Sequence, residues 1–166
     1  AAWATELGSR LSAELEAAAE ELGIERVRSA GGNHVFAAGL GRPDIAASAA
    51  ADFVLKAIEL SGVAAEETGA DIKYHAGLAS GDVVAGLLSS TQLTYGVFGE
   101  PPRTAMALDS IAVNGQILVD QSTVAGLGPE WIFNDVDNLV DLRGEPVTAQ
   151  VLVGRRQGRT ESIEGS

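Results

Sequence analysis

Stretches with helical periodicity alternate with short strand-like runs along the chain, and this order constrains the fold more than any other feature. Apolar residues recur at every third or fourth position, as in helices that bury one face, over residues 3–22, 44–60 and 101–112. Strand-like runs bounded by glycine-containing or polar turns lie at residues 24–29, 34–38, 71–79, 83–88 and 93–98. The rest of the sequence up to residue 153 predicts a short helix at 122–127 and strands at 116–120, 131–134, 138–142 and 147–153. We therefore expect an α+β sandwich, with an antiparallel-rich central sheet and helices packed on it.

The chain has the size of a single domain. Its 166 residues can enclose one hydrophobic core, and no linker or internal repeat divides them. Ile163 is the single apolar residue after position 154. We expect a folded domain at residues 1–154 and a flexible tail at residues 155–166.

The charge balance excludes several classes of partner. The chain has 11 Lys and Arg against 23 Asp and Glu, a formal net charge of −12. A surface of this kind is unsuited to nucleic acid or to an anionic membrane, since both require cations against phosphate. The chain has 0 cysteines, which excludes disulfides, thiolate metal sites and thiol catalysis.

Common catalytic motifs are absent from the sequence. No P-loop occurs, and Gly39-Leu40-Gly41 lacks the context of a dinucleotide-binding turn. The two histidines, His34 and His75, lie in strand-like runs without ligand partners at suitable spacing, so a structural or surface role is favoured.

Four runs of residues are informative together. They read RSAGGNHVFAAGL at residues 28–40, HAGLASGDVVAGLL at 75–88, YGVFGEPPRTAMAL at 95–108 and NGQILVD at 114–120. In order and spacing they resemble the class III adenylate/guanylate cyclase catalytic domain, over roughly residues 11–153.

This resemblance implies a ferredoxin-like sandwich that works as a dimer, either of two copies or with another cyclase domain. Such domains convert ATP or GTP to a cyclic nucleotide and pyrophosphate. Two aspartates hold two Mg²⁺ ions, because hard cations prefer carboxylate oxygens. A lysine and an aspartate read the base, while an asparagine and an arginine orient the ribose and stabilise transition-state charge.

The metal and base positions implied by the resemblance differ from that pattern. The metal-binding aspartate of the hairpin falls at Gly32, which has no side chain to bind Mg²⁺. The base-reading lysine falls at Arg28, which keeps the charge but changes the hydrogen-bond geometry. The base-reading aspartate falls at Gly96.

The ribose and phosphate positions are altered as well. The asparagine that orients the ribose falls at Arg103, and the transition-state arginine falls at Ala107. The lysine that binds the triphosphate falls at Arg143, a conservative change. Arg28, Gly96, Arg103 and Arg143 are thus the candidate nucleotide-binding positions.

The resemblance also implies a central first strand carrying a second metal aspartate, and the chain opens on a helix instead. We expect this strand to be missing from the chain as given, with the natural protein continuing N-terminally or a partner chain filling the gap.

A catalytically inactive cyclase homology domain that serves as a dimerising or regulatory module is the favoured interpretation. It needs no cofactor, although a nucleotide could still bind. The alternative is an active cyclase, dependent on Mg²⁺ or Mn²⁺, with Asp82, Glu100 and Asp109 as replacement ligands. A diguanylate cyclase relative is a weaker alternative, based on the hairpin at 31–36.

The expected location is the cytoplasm. The domain could function there alone or as the cytosolic part of a larger or membrane-anchored protein. Direct membrane contact is not expected, since no apolar run approaches the roughly 20 residues of a membrane span.

Overall fold

A computed structural model describes residues 2–30, 33–87 and 95–156. The helices within these ranges are α1 (Ala2–Glu21), α2 (Ala46–Thr68), α3 (Glu100–Ile111) and α4 (Gln121–Gly126), with a 3-10 turn at Pro43–Ile45 before α2. The strands within them are β1 (Glu25–Ala30), β2 (Asn33–Ala37), β3 (Ala76–Leu78), β4 (Val84–Leu87), β5 (Tyr95–Phe98), β6 (Ile117–Val119), β7 (Trp131–Asp135) and β8 (Gln150–Arg155).

The main sheet has four strands in the order β3-β6-β8-β7. β3 and β6 run parallel, while β8 is antiparallel to both of its neighbours. β1 pairs antiparallel with β2, and β4 pairs antiparallel with β5, as two separate ribbons. The predicted α+β architecture, rich in antiparallel pairs, is confirmed.

Successive residues of β6 point to opposite faces of the sheet, and each face is covered by a helix. Ile117 and Val119 join a core with Ala51 and Val54 of α2. Leu118, between them, packs with Leu108 of α3 on the other face. The main sheet is therefore buried between α2 and α3.

The first helix and the first ribbon form a second core on α2. Ala19 and Ile24 are buried with Ala49 and Phe53, and the ring of Phe36 on β2 packs at a tilt against that of Phe53, with 4.5 Å between the centroids. Because α2 contributes to both cores, it connects the β1–β2 ribbon to the main sheet.

Arg155 fixes the end of the last strand. Its guanidinium carbon lies 5.0 Å from the centroid of the Trp131 ring, and its Nη1 lies 3.3 Å from a carboxylate oxygen of Asp52 on α2. The backbone N–H of Arg156 donates to Glu130 at 2.7 Å. Arg155 and Arg156 are thus held against the domain, and the boundary after residue 154 stays a prediction.

Two predicted elements differ in length. α2 continues to Thr68 rather than ending at residue 60, because its later turns bury Ser61 and Ala64 against the rest of the domain. The predicted strand at 71–79 forms a ladder only over β3. The backbone of Tyr74 instead bonds to the Asn114 side chain at 2.8 Å and to the Gly115 N–H at 2.6 Å.

The predicted strand at residues 138–142 is wrong. Asn138 has a positive φ of 59°, and residues 141–144 form a turn closed by a single bridge between Val140 and Pro146. The ladder partner of β7 is β8, which begins at Gln150.

The expected first strand would need an open strand edge with which to pair, and β2 and β3 each leave one edge unpaired among the described residues. In the described part of the chain, β2 pairs only with β1 and β3 only with β6. The absence of a first strand stays a prediction. Among the described residues, no helix is long and apolar enough to cross a membrane.

Candidate functional site

The two positions expected to read a base lie on strands that contact each other. β1, which carries Arg28, contacts β5, which carries Gly96. Arg28 pairs with Val35 just after an irregularity in the ribbon, and its side chain is exposed. Gly96 is buried opposite Gly86. The two positions thus lie on contacting strands, and Gly96 offers no side chain that could accept a hydrogen bond.

Arg103 and Ala107 lie one helical turn apart on the exposed face of α3. α3 follows β5 directly through Gly99, whose φ of 140° favours glycine. The nearest carboxylate to Arg103 is that of Glu100 at 3.8 Å, and the two side chains are 78% and 85% exposed. Such a pair is screened by water, so the Arg103 guanidinium remains accessible to a ligand.

Arg143 lies on the turn between β7 and β8, which is organised by Asp141. The Oδ1 atom of Asp141 accepts the backbone N–H groups of Arg143 at 2.8 Å and Glu145 at 2.9 Å. These hydrogen bonds, first that from Glu145, hold the pKa of Asp141 below its usual value. Gly144, with a φ of 84°, donates its N–H to the carbonyl of Asp141 at 3.0 Å.

Among the described residues, some Lys and Arg side chains of this acidic chain form ion pairs with carboxylates and others do not. Within the described residues, carboxylates lie within 4.0 Å of the charged groups of Arg10, Arg26, Arg42, Lys56, Lys73, Arg103 and Arg155. Arg28, Arg143 and Arg156 have no such ion pair in the same ranges. Two of these three are sequence-predicted nucleotide-binding positions, and both side chains are exposed.

Within the described residues, the carboxylates suggested as replacement metal ligands do not lie together as one group. Gly32 lies outside the described residues, and its residue type supplies no carboxylate. Within the described ranges, no three His, Cys, Asp or Glu side chains come together. Oδ1 of Asp109 accepts a hydrogen bond from Nδ1 of His75 at 2.8 Å, and Glu100 lies beside Arg103. Asp82, Glu100 and Asp109 therefore do not form a replacement site.

His75 has a structural role in this arrangement. Its side chain is 31% exposed and that of Asp109 is 35% exposed, so the pair is half-buried between the start of β3 and α3. Beside it, Gly77 allows the backbone of α3 to approach β3 closely.

A separate cleft of about 510 Å³ opens where the loop after β2, the turn after β3 and the connection from α4 to β7 meet. Asp44, Ser80 and Glu130 are among its lining residues. None of the candidate nucleotide-binding residues lines it, so the cleft is not part of their site.

The structure brings Arg28 and Gly96 onto touching strands and places Arg103 on the helix that follows. Arg143 lies on a different turn, and within the described residues no ion pair or hydrogen bond joins its side chain to the other three. Asp141 was not expected from the sequence to have a role. An aspartate three positions before a glycine is typical of such turns and could have identified it.

Comparison with known proteins supports the cyclase resemblance. The family described as "Adenylate and Guanylate cyclase catalytic domain" matches residues 6–154. An adenylate cyclase from Mycobacterium tuberculosis (strain ATCC 25618 / H37Rv) is 26% identical over 149 residues, which are 89% of this chain and 33% of that protein. The chain thus spans about a third of the length of the curated relatives it matches.

Solved cyclase structures share the fold. The guanylate cyclase domain of RhGC from Catenaria anguillulae, in complex with GTP, is 26% identical with a TM-score of 0.77, covering 90% of this chain and 82% of that one. The adenylyl cyclase CyaB from P. aeruginosa, at 20% identity, has a TM-score of 0.81 over 95% of this chain and 85% of its own. With the family match over most of its length, the chain belongs to the adenylate and guanylate cyclase catalytic domain family.

Proposed function

We propose that this chain is a catalytically inactive member of the family, a dimerising signalling module that holds a nucleotide without converting it. The observation that carries the proposal is the set of side chains missing from catalytic positions. By the resemblance in motif order, Gly32 and Gly96 fall at positions where the family has carboxylates, and Ala107 falls at the position of an arginine. Two-metal catalysis fails without a carboxylate to hold the metal, at a cost of several orders of magnitude in rate.

Nucleotide binding is supported by the unpaired guanidinium groups. In a chain with 23 Asp and Glu, an exposed arginine would readily find a carboxylate partner. Neither Arg28 nor Arg143 has a carboxylate within 4.0 Å of its guanidinium among the described residues, although the charge of Asp141 acts on Arg143 from beyond that distance. Both guanidinium groups are exposed and can reach the phosphate or the base of a ligand.

Dimerisation is supported by the β4–β5 ribbon. Val84, 72% exposed, is paired across the ribbon with Phe98, 46% exposed, while Leu87, 65% exposed, points to the opposite face. β5 contacts β1 and α3 within the chain, yet Val84 and Phe98 remain exposed. A second cyclase domain that packs on the face bearing these two side chains would bury them and stabilise the ribbon.

Sedimentation velocity over a range of concentrations tests this proposal. We expect a reversible dimer of the purified chain, and the Val84→Ser and Phe98→Ser variants should weaken it about tenfold, as loss of a buried apolar anchor does. Val113→Ser is the matched control, because Val113 is 64% exposed outside the ribbon. A chain that stays monomeric, or a dimer that all three variants affect equally, would contradict the proposed module.

A further inference from the structure

We propose that Asp141 is a positioning residue for Arg143, holding the turn in which this arginine meets the phosphate groups of a nucleotide. The inference rests on the proposed function, since it assumes that the domain binds a nucleotide. It adds a residue at which the resemblance assigned no role.

The geometry of the turn assigns this role to a single atom. Oδ1 of Asp141 accepts both the Arg143 N–H at 2.8 Å and the Glu145 N–H at 2.9 Å. The carboxylate therefore spans the backbone on either side of Gly144. The main chain closes the same loop, because the Asp141 N–H donates to Glu145 at 2.8 Å and the Gly144 N–H donates to Asp141 at 3.0 Å.

These hydrogen bonds determine how the turn can meet an anion. The N–H groups of Arg143, Gly144 and Glu145 are already used inside the turn. A phosphate group arriving at the tip would therefore meet the Arg143 side chain, which is exposed and unpaired within the described residues. The carboxylate fixes the backbone from which that side chain projects.

Holding the backbone in advance favours binding. A free turn would have to be ordered when the ligand binds, and that entropy would reduce affinity. The negative charge of Asp141 acts in the other direction, since it lies close to Arg143 and lowers the local positive potential. Position and charge can therefore be separated by substitution.

Asp141→Asn and Asp141→Ala separate the two effects. The asparagine keeps a side-chain oxygen that can accept both N–H groups but removes the charge, whereas the alanine removes both. We expect Asp141→Ala to weaken the binding of inorganic pyrophosphate about tenfold, the size expected from ordering one residue of backbone. Asp141→Asn should bind at least as tightly as the unsubstituted chain.

The measurement is isothermal titration with inorganic pyrophosphate, together with Arg143→Ala and the double variant Asp141→Ala/Arg143→Ala. If Asp141 acts through Arg143, the double variant binds no more weakly than Arg143→Ala alone. A purely structural role for Asp141 would instead weaken binding further in the double variant. Thermal melts of each variant establish that the domain is folded.

Two results would overturn the inference. Equal affinity for the unsubstituted chain and Asp141→Ala would show that the turn needs no carboxylate. Failure of the unsubstituted chain to bind pyrophosphate would remove the ligand on which the inference depends. Neither result bears on dimerisation, which sedimentation measures separately.

Discussion

At the scale of single residues, Asp141 makes the stability of an exposed turn depend on pH. Its pKa is lowered in the folded chain by the hydrogen bonds it accepts from the backbone, first that of Glu145 and then that of Arg143. A lowered folded pKa means that the folded state binds fewer protons than the unfolded state between the two pKa values. The stabilisation is therefore present above the ordinary value of 3.8 and is lost as pH falls through the folded pKa.

Asp141→Asn should lack this pH dependence, because its amide oxygen accepts the same bonds without titrating. We expect hydrogen exchange of the Glu145 amide, corrected for its intrinsic pH dependence, to lose protection as pH falls below about 4 in the unsubstituted chain. The asparagine variant should keep its protection over that range. Identical profiles for the two proteins would show that the carboxylate does not hold the turn.

The part of the candidate site that could be predicted from the sequence is the part that depends only on residue type and order. Arg28 and Arg143 were predicted as ligand positions, because a motif fixes residue type and order. The spacing of Asp141 and Gly144 indicates a turn, but the backbone groups that the Asp141 carboxylate reaches could not be predicted from it. The same limit applies to Asp109, whose partner His75 lies far away in sequence.

At the scale of elements, the packing of α3 on β3 depends on Gly77. A Cβ atom there would overlap the carbonyl oxygen of Ala105 and lie 2.6 Å from the amide nitrogen of Asp109. Both atoms belong to helical backbone, so the whole helix would have to move. We expect Gly77→Ala to lower the free energy of unfolding by about 1–3 kcal/mol.

Gly86→Ala is the matched control for this substitution. Gly86 also lies in a strand, but a Cβ atom there would meet nothing within 4 Å. Urea denaturation should leave the midpoint of this variant near that of the unsubstituted chain. Equal shifts for the two variants would contradict the close packing of α3 on β3.

Element types were easier to predict from the sequence than element ends. The periodicity of α1 and α3 and the turns around β1 and β2 were sufficient to place them. The end of α2 depended on the burial of Ala64, which no local pattern reveals. Residues 138–142 have a strand-like composition, yet the hydrogen bonds of Asp141 and the positive φ of Gly144 favour a turn.

At the scale of the whole molecule, the family fold is present and the described residues form no metal-binding group of acidic side chains. The net charge of −12 is therefore not concentrated in a group of potential metal ligands within those residues. Many carboxylates instead pair with the cations of the helices and loops, as Glu67 does with Arg10 and Asp44 with Arg42. The exposed apolar side chains of the β4–β5 ribbon are the surface that we propose for a second domain. Arg28 and Arg143 are the residues that we propose for a nucleotide.

The most direct test of inactivity is an assay for cyclic nucleotide, with the purified dimer, Mn²⁺ and either ATP or GTP. We predict that no cyclic product forms above the protein-free background and that the nucleotide is recovered intact. Arg28→Ala and Arg103→Ala should then leave the assay unchanged. Cyclic product from the unsubstituted chain, abolished by either substitution, would contradict the account and establish an active cyclase.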